Sequence, residues 1–100
     1  MVDRAPQGMR RFVMRREFDC SGVSGTGTVL EGVAFSTGVV VIHWLTPPPR
    51  GSISVFESFE QFTAIHVQPH PANRTVIDFE DGERLVCAEA DALTFVSLPD

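Results

Sequence analysis

The 100-residue sequence has no lysine and no tyrosine, one tryptophan and two cysteines. All its basic residues are arginines, a skew that reads as genome composition. The missing lysine still excludes a phosphate loop of the P-loop kind, which closes on Lys-Ser or Lys-Thr. Cys20 and Cys87 are too few for a disulfide framework and form no CxxC pair. No apolar run approaches the ~18 residues of a membrane-spanning helix, and no secretory h-region opens the chain. The expectation is a cytoplasmic protein with two reduced thiols and no membrane partner.

What is present points to one folded domain. A hydrophobic fraction of 43% with eight phenylalanines can offset the ordering entropy through burial. The formal charge of −5 is unevenly placed, with +3 on residues 1–17 and −8 on the remainder. An acidic body repels nucleic acid, so nucleic-acid binding is disfavoured. The N-terminal arginines have two readings, a solvated strand face or a contact to an anion.

Residues 1–9 contain Pro6 and Gly8 and read as a flexible lead-in to a single domain over 10–100. In Arg10 to Phe18, the residues Phe12, Met14 and Phe18 keep period two, which predicts a first strand with one covered face. Two apolar arms flank Ser36-Thr37-Gly38 and predict a hairpin. Its second arm, Val39 to Leu45, is apolar on both faces, as expected of a strand covered on both sides. Gly32 in the first arm suggests a bulge or the close approach of another group. Pro47, Pro48 and Pro49 force the chain out of the sheet before a short strand at Ser52 to Phe56.

Ser58-Phe59-Glu60-Gln61 has capping-box form, and Phe59, Phe62 and Ile65 recur at three-residue steps. They predict one short helix near 59–66. Strands follow at Thr75 to Phe79, Arg84 to Ala88 and Leu93 to Leu98, the first two joined at Asp81-Gly82. The fold class is therefore mainly β, a β-rich α+β chain. It is expected to form a small antiparallel barrel or rolled sheet of about six to seven strands, with the helix over an open end.

The stretch CSGVSGTG, residues 20–27, invites comparison with phosphate cradles. It runs GxxGxG into a strand, whereas a dinucleotide fingerprint opens a helix with GxGxxG. What remains is a nest of amides and hydroxyls at Ser21, Ser24, Gly25 and Thr26 that accepts an anion, or a turn that satisfies only itself. Arg15 and the histidines His43 and His66 complete the candidate ligand or partner site.

His66 and His70 have i, i+4 spacing, but Pro69 lies between them and no further ligands follow, so no metal site is assigned. His66 is expected to close the helix end or lie against Phe62. Trp44 is expected in the core and His43 on the other face of its strand. Asp78, Glu80, Asp81, Glu83, Glu89 and Asp91 stand beside only Arg84, as a solvated hairpin face or as a patch for a basic partner. No GxSxG elbow or second catalytic group accompanies the histidines, so catalysis and cofactors are not assigned.

The run of Arg11 to Arg16, Ser21 to Gly27, Glu31-Gly32, Phe35 to Gly38, His43-Trp44 and Ile65-His66 resembles a group of small uncharacterised proteins of actinobacteria and their phages. Their pattern carries SGVSGTG, EG, RW and IHGH. Here His43 stands where that group has arginine, and Val67 to His70 replaces its GH turn. The hairpin from Gly82 onward looks like an extension. The resemblance implies a small phage-linked or accessory protein and no particular reaction.

Two functions lead, ahead of an enzyme that uses His43 or His66 as general base. The first is a non-enzymatic protein-interaction module, as a regulator or inhibitor, of defence for example, with an unidentified protein partner. The second is a small-anion or nucleotide binder that uses the glycine-rich loop and the N-terminal arginines. A homo-oligomer is compatible with both.

Overall fold

The structure, a computed structural model, describes residues 8–18, 26–45, 51–89 and 92–97. The chain is mainly β, with seven strands and one short helix among the described residues. The strands are β1 (Arg10–Arg16), β2 (Gly27–Ala34), β3 (Val40–Trp44), β4 (Ile53–Phe56), β5 (Thr75–Phe79), β6 (Glu83–Glu89) and β7 (Ala92–Ser97). The helix α1 (Phe59–His66) and a 3-10 turn (Pro71–Asn73) lie between β4 and β5. All seven strands form one antiparallel sheet in the order β4-β3-β2-β1-β5-β6-β7. Because β4 and β7 do not pair, the sheet is open and not a closed barrel. The lead-in at 1–7, most of the glycine-rich loop and the triple proline lie outside the described residues.

One face of this sheet is the core. Phe12 and Met14 of β1, Leu30 of β2, Val40, Ile42 and Trp44 of β3, and Ile77 and Phe79 of β5 all point into it and are buried. The register shift at Met14/Arg15 places an extra residue on β2, and Val29 turns inward beside Leu30 with no exposure left. The helix packs against this face. Phe62 is fully buried, with its ring centroid 5.9 Å from Phe12 and 5.4 Å from Phe56, while Phe59 lies 5.6 Å from both Phe12 and Phe79. Complete burial of a side chain of this size stabilises by roughly 1.5–3 kcal/mol.

Gly32 admits this packing. It sits opposite Phe12 across the β1–β2 pair, and a Cβ there would lie 2.6 Å from the Phe12 ring and 2.9 Å from the Val41 carbonyl. Close approach is thus the reason for glycine here, and the bulge lies elsewhere, at Val29. Gly38 takes φ +99° in the turn between β2 and β3, a conformation that side chains disfavour.

Three expectations change. Strand β3 is covered on one face only: Val41 and His43 stay half-buried on the side that α1 does not reach. Ile65 is 51% exposed, and His66 faces the core in its place, because a 3.6-residue period brings 59, 62 and 66 together. Phe18 is 51% exposed, because β1 ends at Arg16 and the next two N–H groups, of Glu17 and Phe18, both donate to the Asn73 carbonyl at 2.9 and 3.1 Å.

Candidate functional site: an arginine cleft at the end of strand β1

Most arginines near the chain start face their own carboxylates. Arg10 binds Asp81 at 2.9 Å and Glu83 at 2.7 Å, and Arg11 binds Glu80 at 2.6 Å. Arg84 binds Asp78 at 2.5 Å, and Arg15 reaches the same carboxylate at 3.3 Å. The Arg84 contact follows from the β5–β6 hairpin, where Asp78 and Arg84 are partners, and those of Arg10, Arg11 and Arg15 follow from the β1–β5 pairing, which the sequence alone did not supply. They also hold Asp78, Glu80 and Asp81 below the usual carboxylate range, chiefly through the arginine hydrogen bonds. Four members of the acidic run, Asp78, Glu80, Asp81 and Glu83, are therefore matched within the chain.

A second group of arginines, which shares Arg15 with the first, lies at the far end of β1. Arg15, Arg16 and Arg74 line a cleft of about 210 Å3 together with Glu17, Gly27 and Val76. Arg15 is exposed and Arg16 is buried, since adjacent strand residues point to opposite faces. Both reach the cleft because it opens where the sheet ends. Arg16 pairs with Gly27, at the mouth of the glycine-rich loop, and Thr26 stands exposed beside it.

Each arginine is held by neighbours. Arg16 donates from Nη2 to the His66 carbonyl at 3.2 Å, and its guanidinium lies 5.4 Å from the Trp44 ring centre. Arg74 adopts φ +50°, a left-handed conformation uncommon outside glycine. The double hydrogen bond to the preceding Asn73 carbonyl ties this strained position to the end of β1. Arg74 also contacts Glu17 at 3.5 Å and lies 5.8 Å from the Phe18 ring. Three arginines thus line one recess, and among its described lining residues Glu17 carries the carboxylate.

His66 supports this arrangement from beneath. Its ring packs 5.1 Å from Trp44, 5.5 Å from Phe56 and 6.0 Å from Phe62. Burial, and next the Arg16 charge, push its pKa below the ordinary 6.5, so the neutral ring is favoured. His43 lies on the opposite face of the sheet, across from Glu31. It lines a second and larger concavity of about 740 Å3 floored by Val13, Val33, Val41 and Ile53, with Arg11, Glu31, Asp78 and Glu80 around it.

The structure therefore separates the sequence-predicted residues. Arg15 and Thr26 stand at the cleft mouth, His66 is a packing residue under Arg16, and His43 belongs to the other face. Ser21, Ser24 and Gly25 lie outside the described residues. Arg74 was missed by sequence reading, and Arg16 entered it only as one of the N-terminal arginines. Arg16 looks like any solvated strand arginine, and Arg74 is remote in the chain. Its one local signal was a charged residue following Pro-Ala-Asn at a strand start.

Among the described residues, no three His, Cys, Asp or Glu side chains are grouped to hold a metal. No described helix is long and apolar enough to cross a membrane. A family model described as Acb5 phage protein matches residues 9–81. The match starts just ahead of β1 and ends in the β5–β6 turn, so it covers the core meander, the helix and all three cleft arginines. No curated protein and no solved structure matches the chain.

Proposed function

Because the chain belongs to the Acb5 phage protein family, we propose that it is a small phage-linked accessory protein that acts by binding. Its ligand in this reading is a small anion of the phosphate class, such as a nucleotide. The carrying observation is that Arg15, Arg16 and Arg74 line one cleft, where the carboxylate contacts of Arg15 to Asp78 and of Arg74 to Glu17 are long, at 3.3 and 3.5 Å, against 2.6 to 2.9 Å for those of Arg10 and Arg11.

Guanidinium groups present planar pairs of N–H donors that fit phosphate oxygens, and charge-assisted bonds of this kind are about twice as strong as neutral ones. A recess of 210 Å3 is smaller than the ~300–1,000 Å3 of pockets that enclose a whole organic ligand. It suits the anionic group alone, with the remainder of the ligand outside. A phage protein that captures such a ligand acts as a regulator or inhibitor by lowering its free concentration. Cytoplasmic action is part of this reading, since two cysteines without a CxxC pair suit a reducing compartment.

The direct test is native mass spectrometry of protein freshly purified from cells, with and without Arg15→Ala and Arg74→Ala together. A retained phosphate-bearing adduct in the wild type that is absent from the folded double variant is the expected result. An adduct of equal abundance in both would refute the assignment of the cleft.

One observation favours a second reading, a protein-interaction module. Ile53 and Val55 are 69% and 67% exposed on an edge strand bordering the larger concavity, an arrangement typical of docking surfaces. A stoichiometric protein partner that is lost on Val55→Glu while Arg15→Ala and Arg74→Ala leave it bound would replace the first reading with this one.

A further inference from the structure

Strand β4 ends the sheet, and among the described residues no strand pairs with its outer edge. Sheet edges are ordinarily blunted by charge, proline or a bulge. Ile53–Phe56 contains none of these within the strand, and its β3 pairing runs without a register shift.

The hydrogen-bond parity of this edge follows from its neighbours. Trp44 donates to the Ser52 carbonyl at 2.9 Å, so the even-numbered residues 52, 54 and 56 turn their backbone groups towards β3. The outward N–H and C=O groups within β4 then belong to Ile53 and Val55. These same two residues carry the two most exposed large aliphatic side chains of the described chain, at 69% and 67%.

We infer that β4 pairs with β4 of a second copy, antiparallel about a two-fold axis at Ser54. In that register Ile53 of each copy faces Val55 of the other, and these are hydrogen-bonded pairs. All four outward backbone groups of each strand find partners at once. The side chains match as well. Ile53 and Val55 from both copies meet on one face, and Glu57 falls opposite Gly51, not opposite another acid. No other register of the strand on itself pairs both outward residues with each other.

Two features set the strength. Four aliphatic side chains and one strand pair cover less than the ~1,200 Å2 of a standard stable interface, so the dimer is weak and reversible. Each copy carries a formal charge of −5, and salt screens that repulsion. Dimerisation therefore strengthens as ionic strength rises, unlike association driven by opposite charges.

Sedimentation equilibrium on the full chain across a wide concentration range, at low and high salt, reads the dimer directly. The expected result is a monomer–dimer equilibrium favoured by salt, weakened at least about tenfold by Val55→Lys, with the far-UV circular dichroism unchanged. A Ser54→Cys variant identifies the axis independently of that substitution. A non-hydrogen-bonded antiparallel pair puts the two Cα atoms about 4.5 Å apart, within the ~4.4–6.8 Å that a disulfide spans. Ser54→Cys should cross-link between copies faster than Val55→Cys and faster than the wild type with its own thiols. A wild type that stays monomeric at every concentration, which would leave the edge to a strand of another protein, overturns the proposal. So does a dimer that Val55→Lys does not weaken, or equal cross-linking at positions 54 and 55.

Discussion

The Arg16 guanidinium lies 5.4 Å from the centre of the Trp44 ring while its Nη2 donates to the carbonyl of His66. The pair joins the cleft to the core. Trp44 is 9% exposed and rests against the His66 ring, so the Arg16 cation is positioned by packing. An aromatic face attracts a guanidinium by about 0.5–2 kcal/mol, more as water is excluded. Arg16→Leu is accordingly expected to lower stability by roughly 1–2 kcal/mol in urea denaturation and to weaken anion binding as well. A variant as stable as the wild type would show that the contact with Trp44 contributes nothing.

His66 makes stability depend on pH. Its folded pKa lies below 6.5, lowered first by burial and then by Arg16. Between that folded value and 6.5 the unfolded chain binds more protons than the folded one, so stability rises with pH. The contribution is complete above about 6.5 and falls as pH drops through that value. Urea midpoints at pH 7.5 and 5.5 should therefore differ, and His66→Gln should reduce the difference. An unchanged difference in the variant would assign the effect to another group.

Gly32→Ala tests the closeness of β2 to Phe12. The added methyl meets the ring at 2.6 Å and the Val41 carbonyl at 2.9 Å, and overpacking of this kind costs about 1–3 kcal/mol. Part of the loss should be recovered in the double variant Phe12→Leu, Gly32→Ala, whose destabilisation is expected to be less than the sum of the two single effects. Additive effects would contradict the contact.

The helix start offers a local test. Ser58 accepts from the Gln61 N–H at 3.0 Å, and the Gln61 side chain accepts from the N–H of Glu57 at 2.8 Å. The box thus closes one residue earlier than its usual form, which returns to the cap residue itself. Ser58→Ala is expected to cost about 1 kcal/mol, measured by thermal or urea unfolding. A change below ~0.3 kcal/mol would show that the cap is dispensable.

The fold was legible in the sequence because its signals are local. Period two in β1, the Gly38 and Gly82 turns and the Ser58 cap each fix a neighbouring element without long-range information. The helix at 59–66 and all the expected strands follow from such signals. The sequence did not show which elements pair. The β1–β5 contact brings Arg10, Arg11 and Arg15 to carboxylates and leaves Arg15 in one cleft lining with Arg16 and Arg74 at the other end. His43 and His66 looked equivalent as half-polar positions, yet strand alternation and the placement of α1 put them on opposite faces. Arg74 was invisible as a site residue because a turn 58 positions after Arg16 brings it there.

Arg15, Arg16 and Arg74 acting as one anion site should be visible in binding. Isothermal titration with inorganic pyrophosphate, comparing the wild type with Arg15→Gln, Arg74→Gln and their combination, measures it most directly. Saturable binding that weakens with salt and falls at least about tenfold in the folded double variant is the result predicted here. The same affinity in wild type and double variant, or no binding by the wild type at low salt, would contradict it.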